Sequence, residues 1–289
     1  MPKGKSNILP KEIRLARRRK FRRKILIFFF IFVFLVAGVA LFSNSKLMRI
    51  ENIEVSGAEV LNPEEIKDFI KKEMDGKVLF IFSKKNYIFL PVGVMERSVT
   101  KEFPRIGDIH GVKTNQSTIS FSITEREEEY LWCGDSPVFG ASLADKECYF
   151  LDKTGFIFAK APLFSGSIYF RFFNSLESPE PIGNYVFDSE EFAKLIYFVG
   201  LVNEIGLPPV SLSFENEDGS SPNYVIYFKK DYKERSVPPK IIFKKDFDPE
   251  KIANNLNSIF SLPEFLEKFE SESGIEYIDL RFDGKVYYK

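Results

Sequence analysis

The sequence predicts an α+β protein: a single N-terminal transmembrane helix, a compact unit ordered strand-helix-helix-strand-strand, and a β-rich domain with two helices. Three observations predict it. Ile25 to Phe42 is an unbroken run of 18 apolar residues. Between residues 50 and 126, two stretches with apolar residues at helical spacing are set among strand-like segments. From residue 128 onward, short runs rich in β-branched and aromatic residues outnumber helical ones.

The apolar run comes first. At about 1.5 Å per residue it reaches roughly 27 Å, close to the ~30 Å of a bilayer's hydrocarbon core. The 24 residues before it carry eleven Lys/Arg against one acid, Glu12. By the positive-inside rule this makes residues 1–24 a basic cytoplasmic tail and residues 25–42 a membrane-spanning segment, with everything from Ser43 onward outside the cytoplasm. The net charge of zero conceals the asymmetry, because residues 25–289 hold 30 basic against 40 acidic side chains. A basic tail suits anionic inner-leaflet lipid, and no nucleic-acid partner is needed to explain it. A signal peptide cut near Gly38-Val39-Ala40 is the competing reading, but 18 apolar residues exceed the usual ~7–15-residue apolar region of such a leader. No second run reaches membrane length, which excludes a channel or transporter.

Residues 46–126 form the first predicted unit. Ile50, Ile53 and Val55 begin a strand that Gly57 ends. A helix then opens with Asn62 as N-cap, Pro63 at its first position and Glu65 placed for a capping box, and buries Ile66, Phe69, Ile70 and Met74. Val92, Met95, Val99 and Phe103 recur at helical spacing over 91–102, and Pro104 stops that helix. Strands follow at 106–112 and 118–124; in the second, Ile119, Phe121 and Ile123 alternate with Ser and Thr.

Residues 127–289 form the second. Strands are predicted at 128–133, 147–151, 155–159, 167–173, 210–216, 223–229, 239–244, 275–282 and 284–288, with a hairpin loop at 215–223. One helix runs from Ser189 to Glu204 behind the N-cap Asp188, burying Phe192, Leu195, Ile196 and Val199. A second starts near Pro249, burying Ile252, Leu256, Ile259 and Phe260, with Pro263 as its breaker.

Cys133 and Cys148 are the only cysteines. In the oxidising compartment implied by the topology they predict a disulfide, the alternative being two buried free thiols. Catalytic chemistry finds little support. Asp152-Lys153-Thr154-Gly155 resembles a phosphorylated-aspartate motif, but Phe156 follows it and a turn between two strands accounts for it. His110, the sole histidine, excludes multi-histidine metal sites and falls in a predicted strand. No paired carboxylates stand out, and no Gly-rich phosphate loop occurs. No catalytic, metal or cofactor site, and no cofactor, is predicted.

The order of the first unit, together with Ile53-Glu54-Val55-Ser56-Gly57, Phe103-Pro104-Arg105-Ile106 and Glu125-Arg126, resembles the FtsQ/DivIB family of bacterial cell-division proteins, whose extracytoplasmic part opens with a POTRA domain of this layout. The resemblance continues through Tyr130-Leu131-Trp132, Tyr149-Phe150-Leu151-Asp152-Lys153-Thr154-Gly155 and the closing Tyr277-Ile278-Asp279-Leu280-Arg281-Phe282. Glu127, where many members have Pro, and a longer aromatic insert over residues 80–91 depart from the pattern.

The resemblance implies a non-enzymatic divisome scaffold at the division septum. Its partners would be FtsB/DivIC-like and FtsL-like proteins and, through them, the septal peptidoglycan synthase, with no small-molecule substrate. It places a partner strand against the last part of the β domain, so Arg281 and Phe282 carry over as binding residues; Val286, Tyr287 and Tyr288 follow by position. The competing classes are a membrane-anchored cell-wall enzyme, which would need a polar catalytic cleft, and a POTRA-bearing secretion or assembly factor, which would need a barrel of many ~10-residue strands.

Overall fold

A computed structural model of the chain describes residues 11–43, 49–78, 82–137, 139, 146–163, 168–215, 222–230 and 237–289. Its contacts divide it into two units, Met1–Val99 with Asp108–Thr124, and Thr100–Gly107 with Glu125–Lys289.

The expected membrane anchor is corrected. Ile25 to Phe42 lies inside α1 (Lys11–Ser43), a 33-residue helix, yet among the described residues no helix is long and apolar enough to cross a membrane. The composition of α1 is mixed along its length. The apolar residues are the second half of a helix whose first half is cationic.

In the first unit, β1 (Asn52–Ser56) pairs in parallel with β5 (Thr118–Glu125), and β4 (Ile106–Asn115) lies on the other side of β5. Parallel neighbours need a crossover, and α2 (Pro63–Met74) and α3 (Val92–Glu102) lie between β1 and β5 in sequence. Pro63 supplies the fixed first helical residue of α2, and the Asn62 side chain accepts the Glu64 N–H at 3.0 Å. Ile66, Ile70, Met95, Val99, Ile119 and Phe121 are buried. A short ladder of β2 (Lys77–Val78) and β3 (Phe82–Ser83), which the sequence reading omits, precedes α3. His110 lies exposed on β4 beside Asp108, 3.1 Å away.

Among the described residues, the strands of the second unit form one nine-stranded sheet. Its strands are β6 (Tyr130–Trp132), β7 (Tyr149–Leu151), β8 (Ile157–Lys160), β9 (Arg171–Phe173), β10 (Pro209–Glu215), β11 (Asn223–Phe228), β12 (Lys240–Lys244), β13 (Tyr277–Phe282) and β14 (Lys285–Tyr288). They lie in the order β14-β13-β12-β11-β10-β9-β6-β7-β8. Most of the loop expected at 215–223 lies outside the described residues.

Strand alternation sends Ile226, Ile241, Phe243, Ile278 and Leu280 to one face. There they pack against α4 (Ser189–Glu204), α5 (Pro249–Ile259) and α6 (Pro263–Glu270) through Phe192, Phe198, Leu256 and Phe265, among others. Among the described residues the unit thus has three helices where two were expected. Pro263, read as a breaker, opens α6 instead, since the first position of a helix needs no N–H and favours proline's φ. On the opposite face a smaller cluster of Leu131, Phe150, Phe158 and Phe173 surrounds Cys133 and Cys148. These two cysteines face each other across the β6–β7 pair and form a disulfide with a Cα separation of 4.3 Å.

The Asp152–Gly155 segment is a turn held by its own aspartate. Asp152 Oδ1 accepts from the Thr154 N–H (2.8 Å), the Thr154 hydroxyl (2.6 Å) and the Phe156 N–H (3.2 Å), while Oδ2 pairs with Arg126, whose guanidinium stacks 4.3 Å over the Phe156 ring. Burial pushes the Asp152 carboxyl up, but the Thr154, Phe156 and Arg126 bonds outweigh it and hold the group below its ordinary value. Gly155 sits at φ +80°, and a Cβ there would lie 2.7 Å from the buried Phe192 ring. Gly155→Ala is therefore expected to cost about 2–4 kcal/mol, combining left-handed strain with overpacking. Urea unfolding followed by the fluorescence of Trp132 checks this, and an unchanged midpoint would refute it.

Candidate partner-binding edge

The hairpin β13–β14 turns on Asp283 and Gly284. Phe282 pairs with Lys285, leaving a two-residue loop, and Gly284 takes the φ of +68° that such a loop demands. β14 pairs with β13 alone and stands at one end of the sheet order. Lys289 donates its N–H to the Tyr277 carbonyl and accepts from the Glu276 N–H, so Lys285, Tyr287 and Lys289 turn their backbone groups toward β13. By alternation Val286 and Tyr288 present theirs outward, and among the described residues no strand pairs with that side.

The side chains sort differently. Val286 and Tyr288 pack against the helix-covered core, with the Tyr288 ring 5.0 Å from that of Phe265. Phe282 and Tyr287 meet edge-to-face at 5.2 Å and remain 51% and 49% exposed. Half-exposed paired rings at a sheet edge offer apolar area at little entropic cost, since each has only two side-chain torsions.

Arg281 is held in place by Asp279. Its Nε donates to both carboxylate oxygens at 2.9 and 3.2 Å, Nη2 adds a bond of 2.7 Å, and its backbone N–H reaches Oδ1 at 3.0 Å. Asp279 is itself buried; burial would raise its carboxyl, but the bonds from Arg281 override this and keep it below the ordinary carboxylate value. Arg281 is thus oriented beside Phe282 before any partner arrives.

Of the five residues named from the sequence, the structure brings Arg281, Phe282 and Tyr287 to the accessible face of the edge. It places Val286 and Tyr288 in the domain's own packing, with only their backbones free to bond outward. Sequence reasoning missed Asp279 as the group that orients Arg281, although its spacing two residues before Arg281 on a strand puts both on one face. No protein-family model matches the chain, and no curated protein matches it.

Proposed function

We propose that this protein is a non-enzymatic scaffold of the bacterial divisome, whose second unit captures an extended segment of a FtsB/DivIC-like partner by adding it as a tenth strand beside β14. The outward backbone groups of Val286 and Tyr288, flanked by the half-exposed Phe282–Tyr287 pair, carry this reading. The motifs from Ile53 to Phe282 that resemble the FtsQ/DivIB family support it. The Cys133–Cys148 disulfide fits a unit working in an oxidising compartment outside the cytoplasm. Through that partner and a FtsL-like protein, the scaffold is placed in the assembly that controls septal peptidoglycan synthesis.

Two measurements test the proposal. A fluorescent fusion imaged in dividing cells is expected to gather at the septum, and uniform envelope staining would sink the divisome reading. In vitro, Phe282→Ala and Tyr287→Ala are each expected to weaken capture of a FtsB/DivIC-like segment by about 1–2 kcal/mol with little change in thermal midpoint. Val286→Ala and Tyr288→Ala, which remove core packing, are expected to do the reverse. Capture that survives both surface substitutions would place the partner elsewhere.

A further inference from the structure

At the other end of the sheet, beside β8, a solvent-open cleft of about 860 Å³ lies between residues 175–178 and 184–189. Its walls are fixed. The Trp132 indole donates to the Asn174 carbonyl (2.9 Å), and the Asn174 amide donates to the Val186 carbonyl (2.8 Å). The Val186 N–H reaches the Gly155 carbonyl (3.0 Å), and the Ile157 N–H the Asn184 carbonyl (2.9 Å). Two segments without regular structure are thereby tied to the sheet, so a ligand would not have to order them.

The floor is apolar and the mouth is acidic. Val186 and Phe187 are buried, Leu176 is half-buried against the core, and the Tyr185 ring stands 51% exposed, 5.1 Å from that of Phe156. Residues 175–190 contain Glu177, Glu180, Asp188 and Glu190 and no Lys, Arg or His. The N-terminus of α4 by itself would favour an anion. Here, however, Asp188 caps it, accepting the Glu191 N–H at 2.9 Å, and Glu190 and Glu191 occupy its first turn. That N–H bond also holds the Asp188 carboxyl below its usual value. The helix end is neutralised from within. Lys245 lies on the same side, pairing with Glu191 at 3.3 Å and helping to lower Asp188, so it offsets one carboxylate, and Glu177, Glu180 and Glu190 leave the balance at the cleft negative.

We propose that this cleft is a second docking site, for a basic peptide segment of a partner protein that sets an apolar side chain between Leu176 and Phe187 and a Lys or Arg against Glu177 and Asp188. Extended peptide suits an open trough with an apolar patch at Leu176, Val186 and Phe187, polar side chains around it and charge along one rim. The site is independent of the edge at β14. Eight strand spacings of about 4.8 Å separate β8 from β14, roughly 38 Å along the ladder, so both can be occupied at once.

The test uses the full chain and fluorescein-labelled nonapeptides alternating Lys with Leu, Lys with Ser, or Glu with Leu, followed by fluorescence anisotropy. The Lys–Leu probe is expected to bind saturably, and Glu177→Lys combined with Glu180→Lys to raise its Kd about tenfold. The same reversals at Glu264 and Glu267 on α6 are expected to leave it within twofold. The Lys–Ser probe is expected to bind more weakly, and raising the salt to weaken the Lys–Leu probe further, as screening requires.

Absence of binding, equal binding by the Glu–Leu probe, or indifference to the Glu177/Glu180 reversal would overturn the proposal. So would binding that emerges only after residues 1–24 are removed, which would make the chain's own basic segment the occupant. Because β14 is untouched in every arm, failure here is separable from failure of the edge-strand reading.

Discussion

Val286→Pro is expected to abolish capture of a partner strand while the second unit stays folded. By alternation from Tyr287 the Val286 N–H faces away from β13, opposite the place where the ladder shifts register between Asp279 and Phe282, so its loss is expected to break no bond inside the sheet, and proline is tolerated on an edge strand in that orientation. An added strand would lose a donor where it needs one, leaving a carbonyl unsatisfied against a proline ring. That penalty, with the steric clash, is expected to raise Kd roughly 100-fold. Tyr287→Pro is the contrasting variant: its N–H faces Asp279 of β13, and its removal is expected to destabilise the hairpin by about 3 kcal/mol. Titrating both variants with a FtsB/DivIC-like segment, beside urea unfolding of each, separates binding from folding. Unimpaired capture by Val286→Pro would exclude strand addition at β14.

Replacing Cys133 and Cys148 together by Ala is expected to lower stability by about 3 kcal/mol, the chain-entropy value for a closed loop of about 15 residues. The reporter is built in. Trp132 is the only tryptophan, stands next to Cys133 and is buried in the core of the second unit, so its fluorescence follows that unit alone. The urea midpoint of the double variant is expected to match that of the reduced native chain, both below the oxidised one. Coincident midpoints for oxidised and reduced native chain would mean that the bridge contributes nothing to folding.

Much of this architecture was legible in local chemistry. Asn62, Asp188 and the Pro249 start locate three helices because caps and first-turn prolines act within four residues of chain. Pro263 was misread because proline stops one helix and starts the next with equal ease, and only the burial of Phe265 and Phe269 decides between the two. The β2–β3 ladder hid in an aromatic insert with no period. The run at 25–42 carried the composition of a membrane span, whereas the helix that contains it is apolar over only part of its length.

The candidate edge was half legible. Aromatic and apolar residues occupy both faces of β14, so alternation alone could not tell that Val286 and Tyr288 are covered and Tyr287 is not; the position of α6 decides it. The acidic stretch 175–190 was visible in composition. The apolar floor beneath it depends on contacts with Gly155 and Ile157, which are distant in sequence.

β9 gives the second unit a particular order of assembly. It is three residues long, and its bonds to both neighbours are parallel: Leu131 pairs with Arg171, and Arg171 with Ser211, each 40 residues away along the chain. On either side stand antiparallel runs that need far shorter closures, β6-β7-β8 and β10-β11-β12. Loop-closure entropy favours those local meanders first and the 40-residue closures last. The sheet is thus three locally closed blocks, β6-β7-β8, β10-β11-β12 and β13-β14; the last joins β12 through a parallel closure of 37 residues (Lys240 to Tyr277), and the first two are welded by Phe172 and Phe173, which are buried on opposite faces. Refolding is expected to be limited by these long parallel closures, at β9 and between β12 and β13. In the folded protein the seam at β9 is where the sheet parts most readily in sub-global opening, so amide protons at 171–173 report on the cohesion of the whole unit.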